Sequence, residues 1–210
     1  MADFSIEQAL KLGVSRRVCG VDEAGRGPCA GPLCVAAVIL DPTRLPDGID
    51  DSKALTEARR FALEPQIKAA AIAWSVVTVT VEEIDNLNIL GATMAGMARA
   101  VETLDPVAHH ALIDGNRCPK LAIPSTPLVG GDALSLSIAA ASILAKTARD
   151  RIMIELHDVY PVYGFKKHKG YQAVTHLDAL RQHGPSPVHR KSWATIRDLV
   201  AADLTEASEA

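Results

Sequence analysis

The chain has no excess of positive charge: 22 Lys and Arg stand against 25 Asp and Glu, a formal net charge of −3. No global field exists to draw in a nucleic acid, so any such partner has to be held by a local basic patch. Cysteine is scarce, and Cys19, Cys29, Cys34 and Cys118 form no CxxC pair. This spacing argues against structural zinc. Most of these thiols lie in apolar stretches where they act as small hydrophobes, which points to a reducing, cytoplasmic compartment. Long apolar runs are missing too. The uncharged run from Gly27 to Leu40 contains Pro28 and Pro32 and falls short of the about 20 residues a membrane helix needs. Met1 to Arg17 carries Asp3 and Glu7 without a continuous apolar stretch, unlike a secretory signal. The expectation is a soluble, cytoplasmic protein with no membrane association.

What the chain does have is 48% hydrophobic and 22% charged residues over 210 positions, enough for one globular domain with a sizeable core. Val18 to Val21 reads as a short buried strand that stops at Asp22-Glu23 and the glycine-rich Gly25-Arg26-Gly27. Leu33 to Leu40 and Trp74 to Val81 read as two further strands, and the succession suggests a meander. Between them Thr56 to Ala73 has helical spacing, with Pro65 expected to end or kink it. Glu82 to Leu104 reads as a second helix. His110 to Ile113 is another short apolar run ending on an acid, Asp114, and a proline-rich loop through Pro119, Pro124 and Pro127 follows it. Ser135 to Leu156 is the longest helical stretch, and its small residues predict close packing against the sheet. No linker-like segment divides the chain.

Asp22, Glu23, Asp114 and Asp132 each follow an apolar run instead of lying on a charged helix face. Acids at the ends of neighbouring strands converge on the functional crevice of an α/β sheet, and all-oxygen ligation favours Mg²⁺ or Mn²⁺ over zinc. The same spacing also suits helix caps and turns, at Asp22 and at Asp114 before Gly-Asn above all. Gly25-Arg26-Gly27 beside the acidic pair removes side-chain bulk where a phosphate or hydroxyl would approach the backbone.

The segment from Lys166 to Lys191 reverses the overall charge: Lys166, Lys167, Lys169, Arg181, Arg190 and Lys191 face one acid, Asp178. Tyr160, Tyr163, Phe165 and Tyr171 interleave with it, as a surface touching sugars or bases requires. The histidines, His109, His110, His168, His176, His183 and His189 among them, show no HExxH pattern and read as hydrogen-bonded or solvated side chains outside any metal shell.

The motifs VCGVDEAGRGPCAGPLCVAAVIL, DSKALTEARR, DGN, GGDALSLSIAAASILAKTARD, YPVYGFKKHKGY and GPSPVHRKSW run in order from Val18 to Trp193, and in them the chain resembles the bacterial ribonuclease HII family, the type 2 ribonucleases H. The resemblance implies an α/β ribonuclease H-like fold, a mixed β-sheet flanked by helices with a C-terminal helical segment. It places the domain at residues 17–200, between an N-terminal extension, 1–16, and a frayed tail, 201–210. It also implies a metal-dependent endoribonuclease that hydrolyses the RNA strand of RNA–DNA hybrids. Such an enzyme cuts 5′ of ribonucleotides embedded in duplex DNA and leaves 3′-hydroxyl and 5′-phosphate ends. The metal-binding, catalytic carboxylates carry over onto Asp22, Glu23, Asp114 and Asp132, with Mg²⁺ or Mn²⁺ as the cofactor. Gly25, Arg26 and Gly27 with Tyr171 fall on the positions that read the ribose 2′-hydroxyl. Ser52, Lys53, Lys146, Arg190 and Lys191 are candidates for phosphate contacts. A monomer is expected. Gly131, where the family often has Lys, and Trp193, where Phe is common, depart from the pattern without removing a ligand.

A general metal-dependent DNA nuclease would need the same acids, but it would have no use for residues that read a 2′-hydroxyl. A non-catalytic hybrid-binding module would gain nothing from clustered negative charge facing phosphates.

Overall fold

In the computed structural model, residues 2–10 and 17–199 are described. The expected tail 201–210 and residues 11–16 of the expected extension lie outside them. The structure forms two compact units. One holds the residues up to Ala24 with Cys34–Thr78 and Thr93–Ala148; the other holds Gly25–Leu33, Val79–Ala92 and the residues from Arg149 onward.

The first unit is organised by a mixed sheet of β1 (Val18–Ala24), β2 (Leu33–Leu40), β3 (Ala71–Val79), β4 (His110–Asp114) and β5 (Ser125–Leu128), in the order β3-β2-β1-β4-β5. β1 pairs antiparallel with β2 and parallel with β4, and β4 pairs parallel with β5. β2 is buried along its whole length, which is why it reads as an unbroken apolar run instead of an alternating one. Ala36, Val38 and Leu40 on one of its faces pack with Leu63 and Ile67 of α2 (Glu57–Ala70) and with Ala139, Ala140 and Ala145 of α4 (Leu136–Val159). The small residues bring α4 close to β1. A Cβ on Gly20 would run into the Ser137 and Ile138 backbone.

Three expectations change. α2 continues past Pro65 to Ala70 and β3 starts at Ala71, earlier than expected, because Leu63 and Ile67 anchor both sides of the proline in the core. The proline-rich loop contains a strand, β5, which tolerates Pro127 because it lies at the edge of the sheet. The helical region after β3 is α3 (Val81–Glu102), interrupted at Asn88, where φ is 56° and ψ 169°. α1 (Ser5–Ala9) precedes the sheet.

In the second unit, α5 (Phe165–His168), α6 (Val174–His183) and a helical stretch at 194–199 supply the C-terminal helical segment. Its core joins Cys29, Ala30, Met153, Tyr163, Phe165, Leu180 and Ile196. Tyr163 and Phe165 stack with ring centroids 5.4 Å apart. They are core residues, so of the aromatics expected to interleave with the basic patch only Tyr171, half exposed, is displayed on the surface. Lys169 and Arg190 also turn inward, leaving Lys166, Lys167, Arg181 and Lys191 exposed.

Candidate active site

β1 and β4 run parallel with Val21 opposite Ile113. Asp22 and Asp114 each follow one residue later, so they emerge level with one another, on the same face of the sheet. This is the face Gly20 presents to α4. Ser142 on that helix is hydrogen-bonded to the Asp22 carboxyl, and the Ser142 and Ser52 hydroxyls are 2.6 Å apart. Glu23 follows at the end of β1, and its own N–H donates to Asp22 Oδ1 at 2.6 Å. Asp132 lies in the 3-10 turn Gly131–Ala133 after β5, and the Gly131 N–H donates to Asp114 Oδ1 at 2.7 Å. Gly131 thus contributes an amide to the acidic cluster.

The acids act on one another electrostatically. Burial raises the Asp22 pKa well above the usual carboxylate value, and the charges of Glu23 and Asp114 push it further. Asp114 is raised in turn, by burial first and then by Asp132, against the lowering effect of the Gly131 amide and Lys53. Lys53 Nζ donates to Asp132 Oδ2 at 2.9 Å and lies 4.0 Å from Asp51. Its own pKa is raised: burial works against the charge, but Asp132, Asp51 and Asp22 outweigh it. Among the described residues no three or more Asp, Glu, His or Cys side chains are arranged so as to hold a metal ion together. The donor set nevertheless fits a hard divalent cation, since crowded, partly buried carboxylates need a counter-charge. Mg²⁺ also keeps several ligands from water or substrate phosphate and does not require an all-protein cage.

In the second unit, the chain leaves β1 through Gly25, whose φ is 107°. A Cβ there would collide with the Arg149 side chain, so glycine is required twice over. Arg190 is wholly buried and donates through Nη2 to Gly25 O at 2.6 Å and through Nη1 to Arg26 O at 3.1 Å. It also binds Gly31 O, at 3.0 Å through Nε. Because a trans peptide points its C=O and N–H in opposite directions, the Arg26 and Gly27 amides are directed away from the guanidinium. A Cβ on Gly27 would sit 3.3 Å from the Tyr171 ring, which puts the Gly-Arg-Gly turn and Tyr171 side by side. Tyr171 is 50% exposed.

Two expected phosphate contacts are corrected. Arg190 cannot reach a phosphate because its guanidinium is committed to interior carbonyls, and Ser52 is buried with its hydroxyl on Ser142. Lys53 is exposed but engages Asp132. Lys146 is half-buried on α4, and Lys191 is exposed. Sequence reasoning missed Arg149, which is buried and donates to the carbonyls of Pro32, Ala30 and Lys169. Its charged neighbours on α4, Lys146, Asp150 and Arg151, gave the sequence no way to single it out as buried.

Carboxylates gathered at the carboxyl ends of adjacent strands, in a mixed sheet flanked by helices, define a metal-dependent nuclease of the ribonuclease H-like class. The sequence pattern described as Ribonuclease HII matches residues 19–196. A ribonuclease HII of Burkholderia mallei is 59% identical over 181 residues, covering 86% of this chain and 85% of its own. The ribonuclease H2 of Pyrococcus horikoshii OT3 superposes with a TM-score of 0.75 at 28% identity, covering 89% of this chain and 98% of its own. A ribonuclease HII of Archaeoglobus fulgidus, solved in complex with PCNA, gives 0.73 at 26% identity, covering 87% and 96%. The chain belongs to the ribonuclease HII family. It is accordingly a hydrolase with ribonuclease H activity on RNA–DNA hybrids, in a family that depends on divalent metal ions. Among the described residues no helix is long and apolar enough to cross a membrane.

Proposed function

We propose that this ribonuclease H also cuts on the 5′ side of a single ribonucleotide embedded in duplex DNA, leaving 3′-hydroxyl and 5′-phosphate ends. The observation that carries the reading is the pairing of Gly27 with an exposed Tyr171 beside a turn whose carbonyls are held inward by Arg190. That arrangement leaves the Arg26 and Gly27 amides directed outward to meet a ribose 2′-hydroxyl, the group that distinguishes RNA from DNA at one position. Tyr171 offers a ring face to the sugar or base and a hydroxyl to the same ribose.

Asp22 and Asp114 serve as the central metal ligands, Glu23 as a ligand to one ion, and Asp132 as the more loosely held fourth. Held by these carboxylates, two divalent cations, Mg²⁺ or Mn²⁺, would supply the activation of a water and the positive charge that the leaving 3′ oxygen needs. Ser142, backed by Ser52, orients the Asp22 carboxyl. Lys53 balances charge at Asp132, and the exposed Lys53 and Lys191 are cations that can contact backbone phosphates, with Lys146 on α4 a further candidate. We assign the domain to residues 17–200 and the working state to a cytoplasmic monomer.

The test is cleavage of an end-labelled DNA duplex carrying one ribonucleotide, beside an all-DNA duplex and a full RNA–DNA hybrid, with Mg²⁺, Mn²⁺ or EDTA. The expected result is metal-dependent cutting 5′ of the lone ribonucleotide with the all-DNA duplex intact. Cutting of the hybrid alone would overturn the proposal, and cutting of all three duplexes would mark a general nuclease.

A further inference from the structure

His168, His176 and His189 take no part in the acidic cluster, yet their hydrogen bonds converge on the backbone around Tyr171. The Ser186 N–H donates to His189 Nδ1 at 2.9 Å, with the Ser186 hydroxyl at 2.9 Å from the same nitrogen. That leaves the His189 proton on Nε2, from which it is donated to His176 Nε2 at 3.0 Å. His176 therefore carries its own proton on Nδ1, which donates to the Tyr171 carbonyl at 2.8 Å. His168 is set the other way round: its Nε2 donates to Tyr163 O at 2.7 Å, and its Nδ1 accepts the Gly170 N–H at 3.2 Å. Its ring stacks on His176 with centroids 4.5 Å apart.

The remaining backbone groups of the turn are bonded as well. Arg149 donates to Lys169 O at 3.0 Å, and the Cys29 N–H donates to Gly170 O at 3.1 Å. Lys169 and Gly170 are held at positive φ, 52° and 83°. The result is a fixed main chain beneath an exposed ring. His189 and Arg190 are chain neighbours, so one dipeptide holds both parts of the ribose-reading surface: Arg190 by the Gly25 and Arg26 carbonyls, and His189 through His176 by the Tyr171 carbonyl.

We infer that His176 and His189 are positioning residues for substrate recognition, forming a two-imidazole relay that sets Tyr171 against the Gly25–Gly27 turn. The inference rests on the reading of Tyr171 given above. A relay of neutral rings suits the task because each imidazole passes on one donor in a fixed direction and adds no charge to the interior. Direct ligand contact is not required, since His176 and His189 are both buried.

A double-mutant cycle separates this role from a merely structural one. Steady-state cleavage of the duplex with one ribonucleotide is measured for the wild type, His176→Leu, Tyr171→Ala and the double variant, with melting temperatures taken in parallel. His176→Leu is expected to raise KM about tenfold, the scale of one buried hydrogen bond, with kcat within about twofold. In the Tyr171→Ala background the same change is expected to leave KM unaltered. His176→Asn, whose amide can still donate to the Tyr171 carbonyl, is expected to recover most of the wild-type KM. If His176→Leu does not fold, His189→Asn breaks the relay at its other link, and the same lack of additivity is expected of it. Equal increases in KM with and without the Tyr171 side chain overturn the relay alone. A Tyr171→Ala variant with wild-type KM and kcat overturns the ribose-reading role of Tyr171 itself.

Discussion

Lys53 Nζ stands 2.9 Å from Asp132 Oδ2, an exposed ammonium, at 76%, resting on a nearly buried carboxylate. A divalent cation bound through Asp132 would have to share that carboxylate with the ammonium, so the two compete for one charge. Lys53→Ala is therefore expected to tighten Mn²⁺ binding by about 2- to 5-fold, the range of a solvent-screened ion pair. Titration calorimetry on the protein without nucleic acid reads this directly. An unchanged or weaker affinity would show that Lys53 does not compete for the site.

Asp22→Asn is expected to lower cleavage by at least about 10²- to 10³-fold while leaving hybrid binding in place. In metal-free protein the same change should raise the urea midpoint. Burial, Glu23 and Asp114 lift the Asp22 pKa in the folded state, so the folded chain holds a proton that the unfolded chain has already released. That contribution is present at low pH and is lost as pH rises through the folded pKa; an uncharged amide avoids the loss. A midpoint unchanged at neutral pH would refute the electrostatic account.

The His189 pKa runs the other way. Burial, then His176, lowers it from 6.5 to about 4, so between those values the unfolded chain binds a proton that the folded chain refuses. Stability is expected to climb as pH rises from about 4 to 6.5 and to fall on acidification across that window. Burial lowers His176 and His168 too, which adds to the slope. Urea midpoints across the window, with Asp22→Asn as the background to remove the opposing carboxylate, should show a steeper rise with His189 present than in His189→Asn. Equal slopes would sink the assignment to His189.

Gly20→Ala tests the contact that places Asp22 under α4. The added methyl group meets the Ser137 and Ile138 backbone, which cannot rotate away as a side chain would. The expected cost is at least about 2 kcal/mol, measured by urea denaturation, with a drop in metal affinity as the helix is pushed off β1. A loss below about 0.5 kcal/mol would mean that the helix moves freely over the strand.

Much of this was legible in sequence because it is local. The continuous apolar run of β2 announces a strand covered on both faces, and the acids that close the apolar runs of Val18 and His110, Asp22 and Asp114, fall level on neighbouring strands as those runs suggested. Tyr171, expected on the surface among the basic residues, is exposed. Pattern failed where a residue's role depends on partners far along the chain. Tyr163 and Phe165 sit among basic residues in sequence but in the core in space, and Ser52 meets Ser142 across a separation of 90 residues.

Arg190 and Lys191 show where the boundary falls. Sequence establishes that both are cations in a basic segment and that each must be hydrated, paired or hydrogen-bonded. It does not choose among these, because a guanidinium's donors are satisfied as well by peptide carbonyls as by phosphate oxygens. Only the fold brings Gly25 and Arg26, more than 160 residues away, onto Arg190, and so turns it into the interior support of the Gly25–Gly27 turn. Lys191, one residue on, stays exposed. The composition and order of the chain determined its elements, its acids and its family. Long-range carbonyl and imidazole contacts decided which of its polar side chains stay at the surface and which are spent on interior carbonyls.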